Sequence, residues 1–324
     1  MLLLTGCGRY ADFSLPRLSG GDPTLSFALD AQPDPVIARG EESDVLNPSV
    51  VRTPAAYLNF YSAFDGHSWQ TLLARSEDGV HWQPGHTIQR PDPRTWEAGY
   101  IAGNGSALVH HGQFWYWYEA GPREALRVGL ARSADAQAWS KEPGPVLERG
   151  PYMSWDERDV ADPYAVRIGA YFYMYYLGQD RASPPRQRIG VARSPDGIHW
   201  TKLRANPVLE LGDPGAFDEA ELGEPAVWVS HGFYWMLYTG TDFSGQRRLG
   251  LARSIDGIHW RKLSAVFAGS QAWNSKVLCD PSVLVEGPVI RVWFGGGDVA
   301  SPDEGLHGQI GYGILRPVHD TLAK

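Results

Sequence analysis

With 324 residues, Lys+Arg 29 against Asp+Glu 37 and a formal net charge of -8, the chain has no basic surface able to neutralise many phosphates, which excludes nucleic acid as a partner. Only two cysteines occur, Cys7 and Cys279, which excludes a scaffold built on disulfides. The 13 Trp and 15 Tyr are flat, amphipathic side chains suited to packing between sheets and to stacking on sugar rings.

In chain order, the opening residues Leu4-Thr5-Gly6-Cys7 resemble the lipobox of bacterial lipoproteins, although Met1 to Leu4 hold neither a basic nor a long apolar segment. The resemblance implies a lipid anchor at Cys7 and an extracytoplasmic, membrane-anchored protein of a bacterium. No other segment approaches the run of about 20 apolar residues that spans a bilayer. Residues 1–34 therefore read as leader and linker, and 35–324 as one domain.

That domain is repetitive. Asn47-Pro48-Ser49-Val50, Asn104-Gly105-Ser106-Ala107, Asp162-Pro163-Tyr164-Ala165, Glu224-Pro225-Ala226-Val227 and Asp280-Pro281-Ser282-Val283 each open a strand. Fourteen residues after the first member comes an aromatic: Tyr61, Tyr118, Tyr176, Tyr238 and Phe294. A second strand rich in β-formers, such as Tyr171 to Tyr176, fills the interval. A hairpin follows, with Ala74-Arg75-Ser76-Glu77-Asp78-Gly79-Val80-His81-Trp82 returning from Ala131, Ala192 and Ala252. Its Asp-Gly step signals a tight turn, because Gly takes positive φ without strain. The Asp in each hairpin reads as a turn-capping side chain.

Such periodicity predicts an all-β fold, a five-bladed β-propeller with four antiparallel strands per blade. The fifth unit ends without its hairpin. Pro35-Val36-Ile37-Ala38-Arg39-Gly40 matches Pro145 to Gly150 and Pro207 to Gly212, which leave the outer strands of units two and three. The last blade is thus expected to be closed by the N-terminal segment, removing a free edge.

Against a repeated frame, the residues that differ are informative. Asn47, Asn104, Asp162, Glu224 and Asp280 should ring one axial funnel. Crowded acids raise one another's pKa through repulsion and desolvation, so that one carboxyl can stay protonated while another is ionised. Glycoside hydrolysis requires such a pair. Eighteen residues after each strand start lie Asp65, Asp180, Asp242 and Asp298, with Pro122 in the second unit. These loops, with Glu119, Arg123 and Arg181, are expected at the funnel mouth, where charged groups can bind sugar hydroxyls.

The five units, their Asp-Pro and Glu-Pro strand starts and their hairpins resemble the five-bladed propeller glycosidases of families 43, 32 and 130 over residues 35 to 316. The resemblance implies a glycoside hydrolase-like enzyme acting on an oligosaccharide or polysaccharide. Asp162-Pro163 and Glu224-Pro225 match two of the family's carboxylate positions. The first-blade Asp is replaced by Asn47, which is closer to the phosphorylases, and Asn can act neither as base nor as nucleophile. Glu224, the only Glu of the five, takes the general-acid role. Asp162 is the base or the group holding Glu224 protonated, and Asp280 can exchange roles with it. Asn47, Asn104, Glu119, Asp180, Arg181, Asp242 and Asp298 are the candidate sugar-binding residues. No cofactor is required, though the ring leaves room for a central divalent cation. The alternatives are a non-catalytic carbohydrate-binding propeller and a glycoside phosphorylase.

The lipobox reading has a direct test. In its native host the full-length gene product should fractionate with membranes and carry lipid on Cys7, and Cys7→Ala should release it. Recovery of unmodified wild-type protein from the cytoplasm would remove the anchor.

Overall fold

A computed structural model describes residues 10–300 and 303–319; Cys7 and its lipobox lie outside them. Apart from one 3-10 turn at Ala272–Asn274, the regular elements are β-strands. No helix among the described residues is long and apolar enough to cross a membrane.

The strands pair in successive antiparallel groups. The first comprises Asp44–Arg52, Tyr57–Phe64, Trp69–Ser76 and His86–Gln89. The second comprises Ile101–His110, Gln113–Gly121, Arg127–Ser133 and Ser140–Lys141. The third comprises Asp159–Ile168, Tyr171–Gln179, Gln187–Ser194 and Thr201–Leu203. The fourth comprises Glu221–Ser230, Phe233–Thr241, Arg247–Ser254 and Arg261–Phe267. In the last, Val277–Glu286, Val289–Gly297 and Gln309–His319 are joined by Leu25–Ala31, which runs antiparallel to Gln309–His319 from Leu25↔His319 to Ala31↔Gly313. The result is an all-β, propeller-like fold.

The N-terminal contribution differs in detail from the sequence expectation. The strand that covers the last edge is Leu25–Ala31, upstream of the Pro35–Gly40 match. That match marks a different contact. Val36 donates to the Ile310 carbonyl (2.7 Å), as Val146 does to Val128 (2.7 Å) and Val208 to Ile189 (2.8 Å). The motif is therefore the stretch that leaves a fourth strand and bonds back to the third. Residues 10–34, read from sequence as leader and linker, are packed instead: Tyr10–Ala11 lies parallel to Lys202–Leu203, and Leu15 and Phe27 are buried.

Apolar burial is divided among the joints between groups. Val45, Tyr57 and Tyr61 pack with Trp293 and Tyr312 between the last group and the first. Phe60 and Leu73 pack with Tyr116 and Tyr118 between the first and second. Trp117 and Val128 meet Phe172 and Met174 at the next joint, Tyr175 and Val191 meet Tyr234 and Met236 at the one after, and Trp235 and Leu251 meet Val292 and Phe294 at the last. The turn glycines seal three of these joints: Trp293 Nε1 donates to Gly79 O (2.7 Å), Trp117 Nε1 to Gly197 O (2.9 Å) and the Tyr175 hydroxyl to Gly257 O (2.8 Å). The hairpin Asp residues are structural as expected. Each caps its turn, Asp78 accepting from the backbone of Val80 and His81.

Three of the periodic tyrosines end in a buried acid–lysine pair. Tyr118 donates to Glu97, which Lys141 also binds; Tyr176 donates to Asp156, bound by Lys202; Tyr238 donates to Asp218, bound by Lys262. A buried charge must be paired, and removing one partner costs about 3–5 kcal/mol. Asp156→Ala should therefore destabilise the fold by roughly that amount in chemical denaturation. Adding Lys202→Met should recover more than half of it. A loss below about 1 kcal/mol for the single variant would show that Lys202 escapes to solvent.

Candidate active site

Each innermost strand is broken at the same place. The register shifts between Leu46 and Ser49, Gly103 and Ser106, Ala161 and Tyr164, Gly223 and Ala226, and Cys279 and Ser282. At these bulges Asn47, Asn104, Asp162, Glu224 and Asp280 adopt φ of 52°, 44°, 44°, 51° and 50°. The following residue is Pro in four cases, which leaves no N–H unpaired at the bulge. In the fifth, a Cβ on Gly105 would stand 2.4 Å from the Trp117 carbonyl. Asn and Asp tolerate the left-handed conformation; Glu224 holds it without that local excuse.

The five side chains are thereby turned off their strands. Together with the residues that follow them they line one chamber of about 30 Å³. All five also line a cavity of about 900 Å³.

Between neighbours, the ring is tied by a register that repeats fifteen residues further on. Ser62 Oγ accepts from the Asn104 N–H (2.7 Å), Glu119 Oε2 from the Asp162 N–H (3.3 Å) and Thr239 Oγ1 from the Asp280 N–H (3.3 Å). At the joint between the last group and the first, the Asn47 N–H and Nδ2 donate to Asp280 at 3.3 and 2.7 Å; between the third and fourth the register holds Leu177, which has no polar side-chain atom. Asp280 also accepts from Cys279 Sγ (2.9 Å), and its own N–H reaches Glu224 Oε2 (3.1 Å). Asp280 is 5% exposed and walled in by these partners; Asp162 and Glu224 are less buried and face the cavity.

Electrostatically the ring is a set of acids that cannot all ionise. Burial, then repulsion from Glu224, pushes the Asp162 carboxyl up to about 7. The same two causes hold Asp280 well above the ordinary carboxylate range. Glu119 is raised by burial and then by Asp162. Arg247, half-buried at the start of the fourth group's third strand, faces Glu224, Asp280 and Glu221 and offsets part of their charge.

Of the other candidates, Glu119 is not an exposed rim residue but a buried partner of Asp162. Asp180, Arg181, Asp242 and Asp298 do not line the cavity. Asp180 binds Arg186 and Arg188 (2.8 Å each), Asp242 binds Ser244 and Arg248, and Asp298 binds His307. These acids tie down their own loops, and Arg181 Nη2 reaches the Glu124 carbonyl. The cavity wall is instead formed by residues such as Arg158, Asp159, Arg186, Glu221, Phe243 and Arg247. Arg247 stands five residues before the Ala of its hairpin, where the other units have Trp69, Leu126 and Gln187, all lining the cavity. Sequence reasoning missed Arg247; the change of residue type at that register is the signal by which it can be found.

Glu224, Cys279 and Asp280 have ligand atoms within 4.8 Å of one another. The set fits a divalent cation poorly, because Asp280 already accepts from Asn47 and Cys279 and a guanidinium supplies positive charge beside Glu224.

Comparison with known proteins agrees with this geometry. A family model described as "Glycosyl hydrolases family 32 N-terminal domain" matches residues 55–279. An uncharacterized protein of Mycobacterium tuberculosis strain H37Rv is 30% identical over 159 residues, 46% of this chain and 52% of that protein. The chain thus spans about half the length of the curated relatives it matches. Among solved structures, a glycoside hydrolase superposes with a TM-score of 0.72 at 18% identity, covering 94% of this chain and 95% of that one. The β-1,2-mannobiose phosphorylase of Listeria innocua, in complex with β-1,2-mannobiose, gives 0.70 at 11% identity, covering 92% and 97%. At such identities the likeness is one of fold.

The raised Asp162 has a consequence for stability. Its ordinary value is 3.8 and its folded value about 7, so in that window the unfolded chain has released a proton that the folded chain still holds. Stability must fall as pH rises from about 4 to about 7 and stay low above. Asp162→Asn removes this penalty and should raise the melting temperature at pH 8 by roughly 3–6 °C, with no gain at pH 4. An unchanged pH slope in the variant would mean that Asp162 is ionised throughout.

Proposed function

The chain belongs to the family of the glycosyl hydrolases family 32 N-terminal domain, and on that premise we propose that it is a glycosidase working at the floor of the axial funnel of a closed, five-bladed propeller. The blade count is supported by the strand pairings and by the apolar core at each joint, including the one between the last group and the first. The observation that carries the function is the clustering of Asp162, Glu224 and Asp280 at equivalent bulges around one cavity, with two of the three carboxyls held toward the protonated form.

Asp162 and Glu224 form the working pair, since of the three carboxyls lining the cavity they are the less buried. Asp280, enclosed by Asn47 and Cys279, modulates their charge. Glu224 delivers the proton to the departing glycosidic oxygen, and Asp162 acts on the opposite side as base or nucleophile. Asn47 and Asn104 hold sugar hydroxyls, each able to donate and accept. A second assignment exchanges the two roles. It is favoured by the raised pKa of Asp162, about 7, which suits an acid near neutral pH. With Asn47 at the first bulge, phosphate in place of water is the third arm of the test.

Glu224→Gln and Asp162→Asn should each lower turnover by about 10²–10⁴. Aryl glycosides of graded leaving-group ability, assayed with and without phosphate, separate the roles. Loss of the acid shrinks as the leaving group improves, whereas loss of the base or nucleophile does not. Full turnover in both variants would leave a carbohydrate-binding propeller as the reading.

A further inference from the structure

We propose that Phe243 is the stacking platform of an outer sugar subsite, so that the ligand of this funnel is an oligosaccharide of at least two units. The inference rests on the carbohydrate reading above and names the size of its ligand.

Phe243 is 74% exposed and lines the same cavity as Asp162 and Glu224. A lone exposed aromatic is ordinary on a protein surface; its position and support are what matter here. It sits in the loop between Phe233–Thr241 and Arg247–Ser254. The preceding Asp242 fixes that loop, accepting from Ser244 N (2.9 Å), Ser244 Oγ (2.5 Å), Gln246 N (3.2 Å) and Arg248 Nη1 (3.0 Å). A Phe held out on a braced loop meets a flat ligand without first losing freedom. The corresponding loops carry Gly66, Arg123, Arg181 and Val299 at this place, so the aromatic is no part of the repeated framework. The neighbouring loop adds Pro184 and Pro185 to the same wall.

Height gives the ligand's length. Thr241 pairs with Glu221, three residues above Glu224 on the innermost strand. At about 3.3 Å per residue that is roughly 10 Å of backbone between Glu221 and Glu224, and Phe243 lies two residues beyond. A ligand that meets both the carboxyls and Phe243 spans more than one ring on this reading. A sugar whose linkage is at the floor leaves its next ring, with its apolar C–H face, level with Phe243.

The test uses the full chain carrying Glu224→Gln, so that ligand is not consumed, titrated calorimetrically with arabino-, xylo-, manno-, fructo- and galacturono-series of one to five units. In the series that binds, affinity should climb from one unit to three. Phe243→Ala in the same background should weaken the longer members about tenfold, equivalent to about 1.4 kcal/mol, and flatten the climb. Phe243→Trp should restore it, with melting temperatures equal throughout. If Phe243→Ala keeps the full dependence on length, the subsite is overturned and the carbohydrate reading stands. If no series binds either protein, the carbohydrate reading falls and takes the subsite with it.

Discussion

A left-handed residue four positions into each innermost strand is the kink on which the site depends. A regular strand alternates its side chains between two faces, and both faces of these strands are packed against neighbouring groups. No side chain of an unbroken strand would leave those two faces. The bulge at Asn47, Asn104, Asp162, Glu224 and Asp280 frees one residue per strand from that alternation. Left-handed backbone costs roughly 1–2 kcal/mol per residue, and Pro or Gly after it prevents the bulge from stranding an amide. The same step also exposes the amide of the kinked residue sideways, where Ser62, Glu119 or Thr239 of the preceding group receives it. One backbone irregularity thus aims the functional side chain and ties adjacent groups together.

Gathering carboxyls around one cavity works against folding, because each is desolvated and each repels the next. The molecule answers in two ways. Arg247 brings a half-buried positive charge among Glu221, Glu224 and Asp280. Backbone and amide N–H groups from Asn47 and from Asp162 and Asp280 themselves point at carboxylate oxygens. The remaining imbalance shows in the carboxyls of Asp162, Asp280 and Glu119, each pushed above its ordinary range by burial and by a neighbouring acid. A carboxyl so raised beside a cavity is what acid catalysis uses, so the electrostatic burden of the fold and the chemistry proposed for it are the same arrangement.

The ring of five polar residues was legible in the sequence because the repeat supplied its own alignment. Asn47, Asn104, Asp162, Glu224 and Asp280 stand at one register of a recurring unit, so their difference in charge could be read without a structure. Rim residues were less legible. Asp180 and Asp242 recur at a fixed interval, but a recurring Asp in a loop caps backbone amides and pairs with local arginines, and the structure gives both that work. Their periodicity marked structure, whereas the cavity is lined at a register that varies: Trp69, Leu126, Gln187 and Arg247. Glu119 does line the cavity, but from a buried position beside Asp162 and not from an exposed rim. It occupies a strand register held elsewhere by Ser62, Leu177, Thr239 and Gly295, and only pairing shows that this register faces the next group's kink. The covering strand Leu25–Ala31 carries no motif, and the motif that resembled one, Pro35–Gly40, marks the exit from that strand.

Departures from the repeat also explain what the N-terminal segment does. Two residues after each kink, Ser282, Ser49 and Ser106 accept the amides of Val50, Ala107 and Ala165 on the next group at 3.0, 2.8 and 3.0 Å. These stitches cross three joints: last to first, first to second and second to third. At the two other joints the position is Tyr164 or Ala226. Tyr164 directs its hydroxyl to the Val283 carbonyl, and Ala226 has nothing to offer. Those are the joints that the N-terminal segment overlies. Leu15 enters the core shared by Tyr175 and Tyr234, with Leu18 N–H bonded to Ile255 O. Leu25 and Phe27 enter the core shared by Trp235 and Val292. Where the polar stitch is missing, an apolar clasp from outside takes its place. Asp162, Glu224 and Asp280 all stand on the clasped side, so the segment that closes the last edge also braces the groups that carry every carboxylate of the ring.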